Sequence, residues 1–200
     1  ALVLLIAVCV TGAALLDLRD DTGNLLIPLL AVQLLWINII ADGPPALALG
    51  IDRNPGVMSQ RPYPPSAPLL ARANVRFILI TGILKAGIGA ALFFSLPSLA
   101  YSGSTTQTAV FLYESLAQLA FVYPSRRITM RPAPNRTLNY IIVVSVALQI
   151  LTITVPGMRT MLGLVPLDGP ALGLVAGSLL VTVIGAEIWS RRAVQQGDDF

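Results

Sequence analysis

An all-α polytopic membrane bundle of about six transmembrane helices is the fold this sequence predicts, and three observations carry the prediction. Only 12% of the 200 residues are charged and 55% are hydrophobic, whereas a soluble domain carries about 25% charged residues. The mean hydropathy of +0.76 is concentrated in blocks that approach the roughly 20 apolar residues a spanning helix needs. The cations are sorted between alternate connections, as the positive-inside rule expects of a polytopic chain. No stretch alternates apolar and polar residues for long enough to suggest a barrel.

Six segments follow in order. Residues 1–16 are apolar and short for a span, and the chain opens with ALVLLIAVCV, already apolar and without a charged leader. It therefore reads as beginning inside a helix, as a piece of something longer, rather than with a signal peptide. The polar loop DLRDDTGN (17–24) leads to a second segment, 25–49. The connection 51–73 holds Pro55, Pro62, Pro64, Pro65 and Pro68 and is expected to be extended and semi-rigid. The third segment is 74–96. The fourth, 106–123, is the least apolar, with Tyr113, Glu114, Ser115 and Gln118 inside it. A basic loop with prolines, 124–137, precedes the fifth segment, 138–156. A mixed stretch, 157–168, precedes the sixth, 169–190.

The charge count orients the bundle. Arg53, Arg61, Arg72 and Arg76, then Arg126, Arg127, Arg131 and Arg136, then Arg191 and Arg192 lie on one side. Only Arg19 and Arg159 lie on the other, and Lys85 lies within the third segment. The basic side, with the C-terminus, is read as cytoplasmic, and its arginines can touch anionic headgroups of the lipid bilayer. Topology accounts for these arginines and the net charge is only +3, so no nucleic-acid partner is invoked. With no histidine and one cysteine, a disulfide within the chain is impossible and a Cys/His zinc site is not expected. Cys9 reads as a small packed residue.

The second segment contains the chemistry. In WINIIADGPPALALG, Asp42 sits in an apolar run, where a charge costs at least about 2.5–3.5 kcal/mol on insertion scales. Asn38 and Asp42 are four apart and share a helix face. Pro44 and Pro45 lack the N–H groups that would bond the carbonyls of Ile40 and Ala41 in a regular helix, so a break is expected over Asp42–Pro45. A carboxylate, an amide oxygen and two freed carbonyls are hard oxygen ligands of the type Ca²⁺ takes. Free backbone oxygen at membrane depth belongs in a protein interior or a cavity, and broken helices at ion sites are a transporter device. A proline kink with Asp42 satisfied by a neighbouring helix is the plainer alternative. The ion site is the reading taken, because intramembrane ionisable residues are functional by default.

QLLWINIIADGPPALALGID resembles the sixth transmembrane helix of calcium-type P-type cation-transporting ATPases. VMSQRPYPPSAPLL resembles the cytoplasmic loop that follows it in that family. The resemblance implies that 1–200 is a single membrane domain, from the outer end of the fifth helix to the tenth. It implies cation-coordinating roles for Asn38 and Asp42. Ala41 stands where a threonine ligand is common. TAVFLYESLAQLAF resembles the eighth helix and puts Gln118 at a further ligand position, with Glu114 one turn before it. The implied function is binding and translocation of a cation, with Ca²⁺ as the expected ion, in an integral protein of the plasma membrane. The phosphorylation, nucleotide-binding and actuator domains of such a pump are absent from this chain. ATP and Mg²⁺ would act only through them, and this chain alone is not expected to hydrolyse ATP. The 51–73 loop is the implied coupling surface. The rival is a free-standing polytopic ion-conducting or regulatory subunit without ATPase activity.

Glu114 and Gln118 either coordinate an ion or make an interhelical hydrogen bond. Lys85 either snorkels to an interface or pairs with Glu114 or Asp42 as a fixed internal counter-ion in place of a second bound cation; snorkelling is the expectation. Gly82, Gly87 and Gly89 read as close helix packing against the first or second segment. Glu187 and Arg191 read as a helical i, i+4 pair. Asp17, Asp20 and Asp21 read as solvated turn residues. Trp36 and Trp189 read as interface or packing aromatics.

Overall fold

The computed structural model describes residues 1–51, 72–129 and 134–196. Its helices are α1 (Leu2–Leu15), α2 (Ala31–Trp36), a π-helical turn (Ile37–Asp42), α3 (Gly43–Gly50), α4 (Arg72–Ser98), α5 (Gly103–Thr129), α6 (Arg136–Thr154), α7 (Pro156–Leu162) and α8 (Gly169–Gln196). All six expected segments are helical. Ala31–Gly50, Asn74–Ser98, Arg136–Thr154 and Gly169–Arg192 are each long and apolar enough to cross a membrane. Most of the expected 51–73 connection, residues 130–133 of the 124–137 loop and the last four residues lie outside the described residues.

The surface of the bundle is what a bilayer requires. Val3 is 81% exposed, Leu15 81%, Leu47 74% and Val143 66%, and large apolar groups of this kind recur on α1, α3, α4, α6 and α8. Apolar surface on this scale has no place in water. The protein is integral to a membrane.

The polar segment is the central one. Residues 106–115 of α5 are all buried, and α5 packs against α4, α6, α8 and the π turn. A helix surrounded by helices meets no lipid, so its polar groups find partners inside the protein. This explains why the least apolar of the six segments is the deepest.

Boundaries differ from the expectation in three places, each with a local cause. The second segment begins at Ala31, not 25. Leu25 pairs across to Arg19, the Leu26 N–H bonds the Leu18 carbonyl at 2.9 Å, and Pro28 keeps its predecessor extended. The fourth helix continues to Thr129 through Pro124, so the 124–137 loop begins later than expected. Part of the mixed 157–168 stretch is α7, which Pro156 opens at a first-turn position after an extended Val155, where proline is favoured.

Asp21 closes the end of the bundle opposite the arginines. Its carboxylate accepts the Gly103 N–H at 3.0 Å, the Ser104 N–H at 3.1 Å and the Ser104 hydroxyl at 2.5 Å, capping α5. Asp20 accepts the Thr22 N–H, the Thr22 hydroxyl and the Asn24 N–H within its own turn. Asp17 pairs with Arg19 at 2.6 Å. Glu187 and Arg191 form the expected pair at 2.9 Å, and Cys9 is buried and free.

Candidate cation site

The break in the second segment is a widened turn. Over Ile37–Asp42 the helix is π-helical, and the Gly43 N–H reaches back five residues to the Asn38 carbonyl. A new helix starts at Gly43 with Pro44 and Pro45 in its first turn, where their missing N–H groups are no loss. The disruption therefore lies just before the prolines and ends where they begin. Such single π turns concentrate at functional sites.

One side of this span is tied to α6 and α7 by four hydrogen bonds at successive heights. Gln33 Nε2 donates to the Leu162 carbonyl at 3.1 Å. Trp36 Nε1 donates to Gln149 Oε1 at 3.1 Å. Ser145 Oγ donates to the Ile40 carbonyl at 3.1 Å, so this carbonyl has found a hydroxyl in place of its proline donor. Asn135 Nδ2 donates to the Ala48 carbonyl at 3.3 Å. The Trp36 ring is thus a hydrogen-bonded packing residue.

The other side faces a cavity of about 280 Å³ whose polar lining is Asp42, Thr81, Lys85, Glu114 and Gln118. A second cavity of about 380 Å³ shares Asp42, Thr81 and Gln118 and continues past Ala41, Leu49 and Ser125. Those residues lead toward the end that carries the arginines. Asp42 and Gln118 stand in the wall common to both spaces, so a path from that end reaches them first.

The two carboxylates differ in their partners. Asp42 is half-buried and makes no hydrogen bond or ion pair among the described residues. Glu114 is completely buried, and its Oε2 lies 2.8 Å from Lys85 Nζ. That contact is an ion pair whose angle falls outside hydrogen-bond geometry, and Glu114 Oε1 has no donor. Lys85 Nζ donates instead to Gln118 Oε1 at 2.7 Å. Lys85 is 2% exposed, so it does not snorkel. An ammonium with a carboxylate and an amide oxygen within 3 Å gains more from them than from the distant headgroups.

Backbone contacts fix this arrangement. Tyr113 donates to the Lys85 carbonyl at 2.9 Å and its oxygen lies 2.9 Å from Thr182 Oγ1, joining α4, α5 and α8. Gly89 lets α4 approach this closely. A Cβ there would stand 2.9 Å from Leu5 Cδ1, 3.0 Å from Tyr113 Cε1 and 3.2 Å from Glu114 Oε1. Its packing against the first helix is as expected, whereas Gly87 faces open space.

Asp42, Glu114 and Gln118 are therefore brought together, and Ala41 lines the second cavity. Asn38 is exposed and lines neither. Thr81 was not singled out from the sequence. It lies one turn before Lys85, and its hydroxyl donates to the Phe77 carbonyl at 2.6 Å, leaving the oxygen able to accept or ligate. The described residues contain no cluster of three His, Cys, Asp or Glu. The donor set is mixed: carboxylate, amide, hydroxyl and carbonyl oxygen, the hard ligands suited to Ca²⁺.

A helical membrane domain with a polar cavity beside a broken span is the class that this fold and site define. The family described as "Cation transporting ATPase, C-terminus" matches residues 26–192, and the chain belongs to it. It is similar to the Calcium-transporting ATPase of Bacillus subtilis (strain 168), 32% identical over 144 residues that cover 66% of this chain and 16% of the relative. It is similar to Calcium-transporting ATPase 1 of Bacillus cereus (strain ATCC 10987 / NRS 248), 26% identical over 78% of this chain and 20% of the relative. Over 62 residues it is 42% identical to Calcium-transporting ATPase type 2C member 2 of Homo sapiens, covering 30% of this chain and 7% of that protein. The chain thus spans a minor part of each relative's length. The free-standing alternative is not favoured by these likenesses.

Proposed function

We propose that this chain is the cation-binding membrane domain of an ATP-driven P-type pump that transports Ca²⁺, with Asp42 as its central ligand. One observation carries the reading: Asp42 is a carboxylate without a partner among the described residues, at a helix break, facing a cavity inside a membrane bundle. A charge so placed is costly, and a bound cation removes the cost. In this reading Gln118 faces the same ion, and Thr81 and Ala41 belong to the cavity walls that would enclose it. The Ile40 carbonyl is held by Ser145 on the α6 side of the span and Ile40 lines neither cavity, so it stands outside this ligand set. Asn38 contributes from the exposed face of the π turn, where the remainder of the pump would pack.

The partners are the phosphorylation, nucleotide-binding and actuator domains of the same polypeptide, through which ATP and Mg²⁺ act, and the 51–73 connection is the coupling surface. The arginine-bearing end and the C-terminus are cytoplasmic, in the plasma membrane, so the second cavity is the cytoplasmic approach. Transport requires a site that binds tightly when it faces the cytoplasm and weakly when it faces outward.

The test is ATP-dependent ⁴⁵Ca²⁺ uptake into vesicles by the full-length polypeptide that carries this segment. Asp42→Asn should reduce calcium affinity by at least about 100-fold, the upper range for losing a group that tunes a metal site, with the protein still inserted. Unchanged uptake by Asp42→Asn would sink the site. Absence of uptake by the parent protein, with uptake of another cation present, would reassign the ion.

A further inference from the structure

The cavity beside the broken span holds two carboxylates, and one of them is already occupied by a cation of the protein's own. We propose that the Lys85 ammonium is a built-in cation, filling the compartment between Glu114 and Gln118 and leaving room for one divalent ion, at Asp42. The inference rests on the reading of Asp42 as a cation site and fixes how many ions that site holds.

The geometry gives the reason. Lys85 Nζ lies 2.8 Å from Glu114 Oε2 and 2.7 Å from Gln118 Oε1. A calcium ion coordinated by both oxygens would sit about 2.3–2.6 Å from each. It would occupy nearly the same point, and both cannot be present. The ammonium is tethered by its side chain and cannot be exported. It is 2% exposed, and the Tyr113 hydroxyl bonded to the Lys85 carbonyl fixes its backbone. Asp42, on the same cavity wall, has no such partner among the described residues.

Gln118 divides its roles accordingly. Its Oε1 accepts from Lys85, and its position in both cavities places it between the fixed charge and the exchangeable one. The fixed ammonium thus repels a second divalent ion at short range and bounds the first on its inner side. Glu114 serves as the counter-charge that keeps Lys85 in place. It is a positioning residue and not a calcium ligand.

Equilibrium ⁴⁵Ca²⁺ binding to the purified full-length polypeptide tests this. The parent protein should bind one Ca²⁺ per polypeptide. Lys85→Gln frees Glu114 and Gln118 and should add a second, weaker site, raising the count toward two. The double variant Lys85→Met with Glu114→Met replaces the ion pair by apolar groups of similar length, an exchange that buried pairs tolerate. It should still bind one Ca²⁺ per polypeptide, because it leaves no freed carboxylate to hold a second ion beside Asp42.

Two ions bound by the parent protein would overturn the proposal and leave the Asp42 site standing. So would a second Ca²⁺ bound by the double variant, because the added site would then need no Glu114 carboxylate. Should Lys85→Gln fail to fold, the parent count and the double variant decide. No calcium bound by the parent removes the reading of Asp42 as a calcium site, and this inference with it.

Discussion

Asp42 and Glu114 line one cavity and are treated in opposite ways. Glu114 is sealed on the central helix, with an ammonium 2.8 Å away. Asp42 stands at a widened turn, half-buried and without a partner among the described residues. The contrast separates two uses of a carboxylate in a membrane. A charge that must stay neutralised is given a tethered partner on the neighbouring helix. In the proposed reading, a charge that is filled and emptied is left without one among the described residues, where the backbone is irregular and two cavities meet.

The comparison can be broken by removing the tethered partner. Lys85→Ala leaves Glu114 buried and unpaired, and in calcium-free buffer it should cost about 3–5 kcal/mol of stability, as breaking a buried pair does. Asp42→Asn should cost less than about 1 kcal/mol, because no folded-state interaction is lost. Unfolding of the two variants in a denaturing detergent measures both. Equal losses would erase the distinction.

A subtler change sharpens it. Gly89→Ala puts a methyl group against Leu5, Tyr113 and Glu114 and should cost about 1–3 kcal/mol by overpacking. Calcium affinity should be unmoved, since Asp42 is untouched. A parallel fall in affinity would mean that the Glu114 side and the Asp42 side are one coupled unit.

The smallest effect is expected at the far end. The Ser104 hydroxyl, with the Ser104 and Gly103 N–H groups, holds the Asp21 carboxyl below the usual carboxylate range. A depressed value means that the cap is fully stabilising above the ordinary aspartate pKa of about 3.9. It is lost as pH falls through the lower folded-state value. The melting temperature should therefore drop on acidification in the parent protein and drop less in Asp21→Ala. Identical acid profiles would remove Asp21 from the account.

What the sequence made legible follows from what hydropathy measures. Spans that touch lipid announce themselves, and α4, α6 and α8 fall close to their expected places. The central helix α5 was the weakest signal because apolarity reports lipid contact, and α5 has almost none. A break beside Pro44 and Pro45 was readable because proline removes a donor in any context. The way the chain absorbs that loss, a π turn ahead of the prolines with Ser145 on the Ile40 carbonyl, depends on α6 and leaves no local mark. Lys85 lies 29 positions before Glu114, and nothing local to either residue records that their helices cross there. Snorkelling was the local expectation, and tertiary contact overrode it.

The four hydrogen bonds from the broken span to α6 and α7 have a mechanical consequence. They run antiparallel from Gln33–Leu162 through Trp36–Gln149 and Ile40–Ser145 to Ala48–Asn135. Sliding the span along α6 would shear all four rungs together. Against α4 and α5, the same span offers the Asp42 wall and no rungs among the described residues. Span and α6 thus form a single plank, and the seam that encloses the cavity is the one along which the span has no hydrogen bond to part among the described residues.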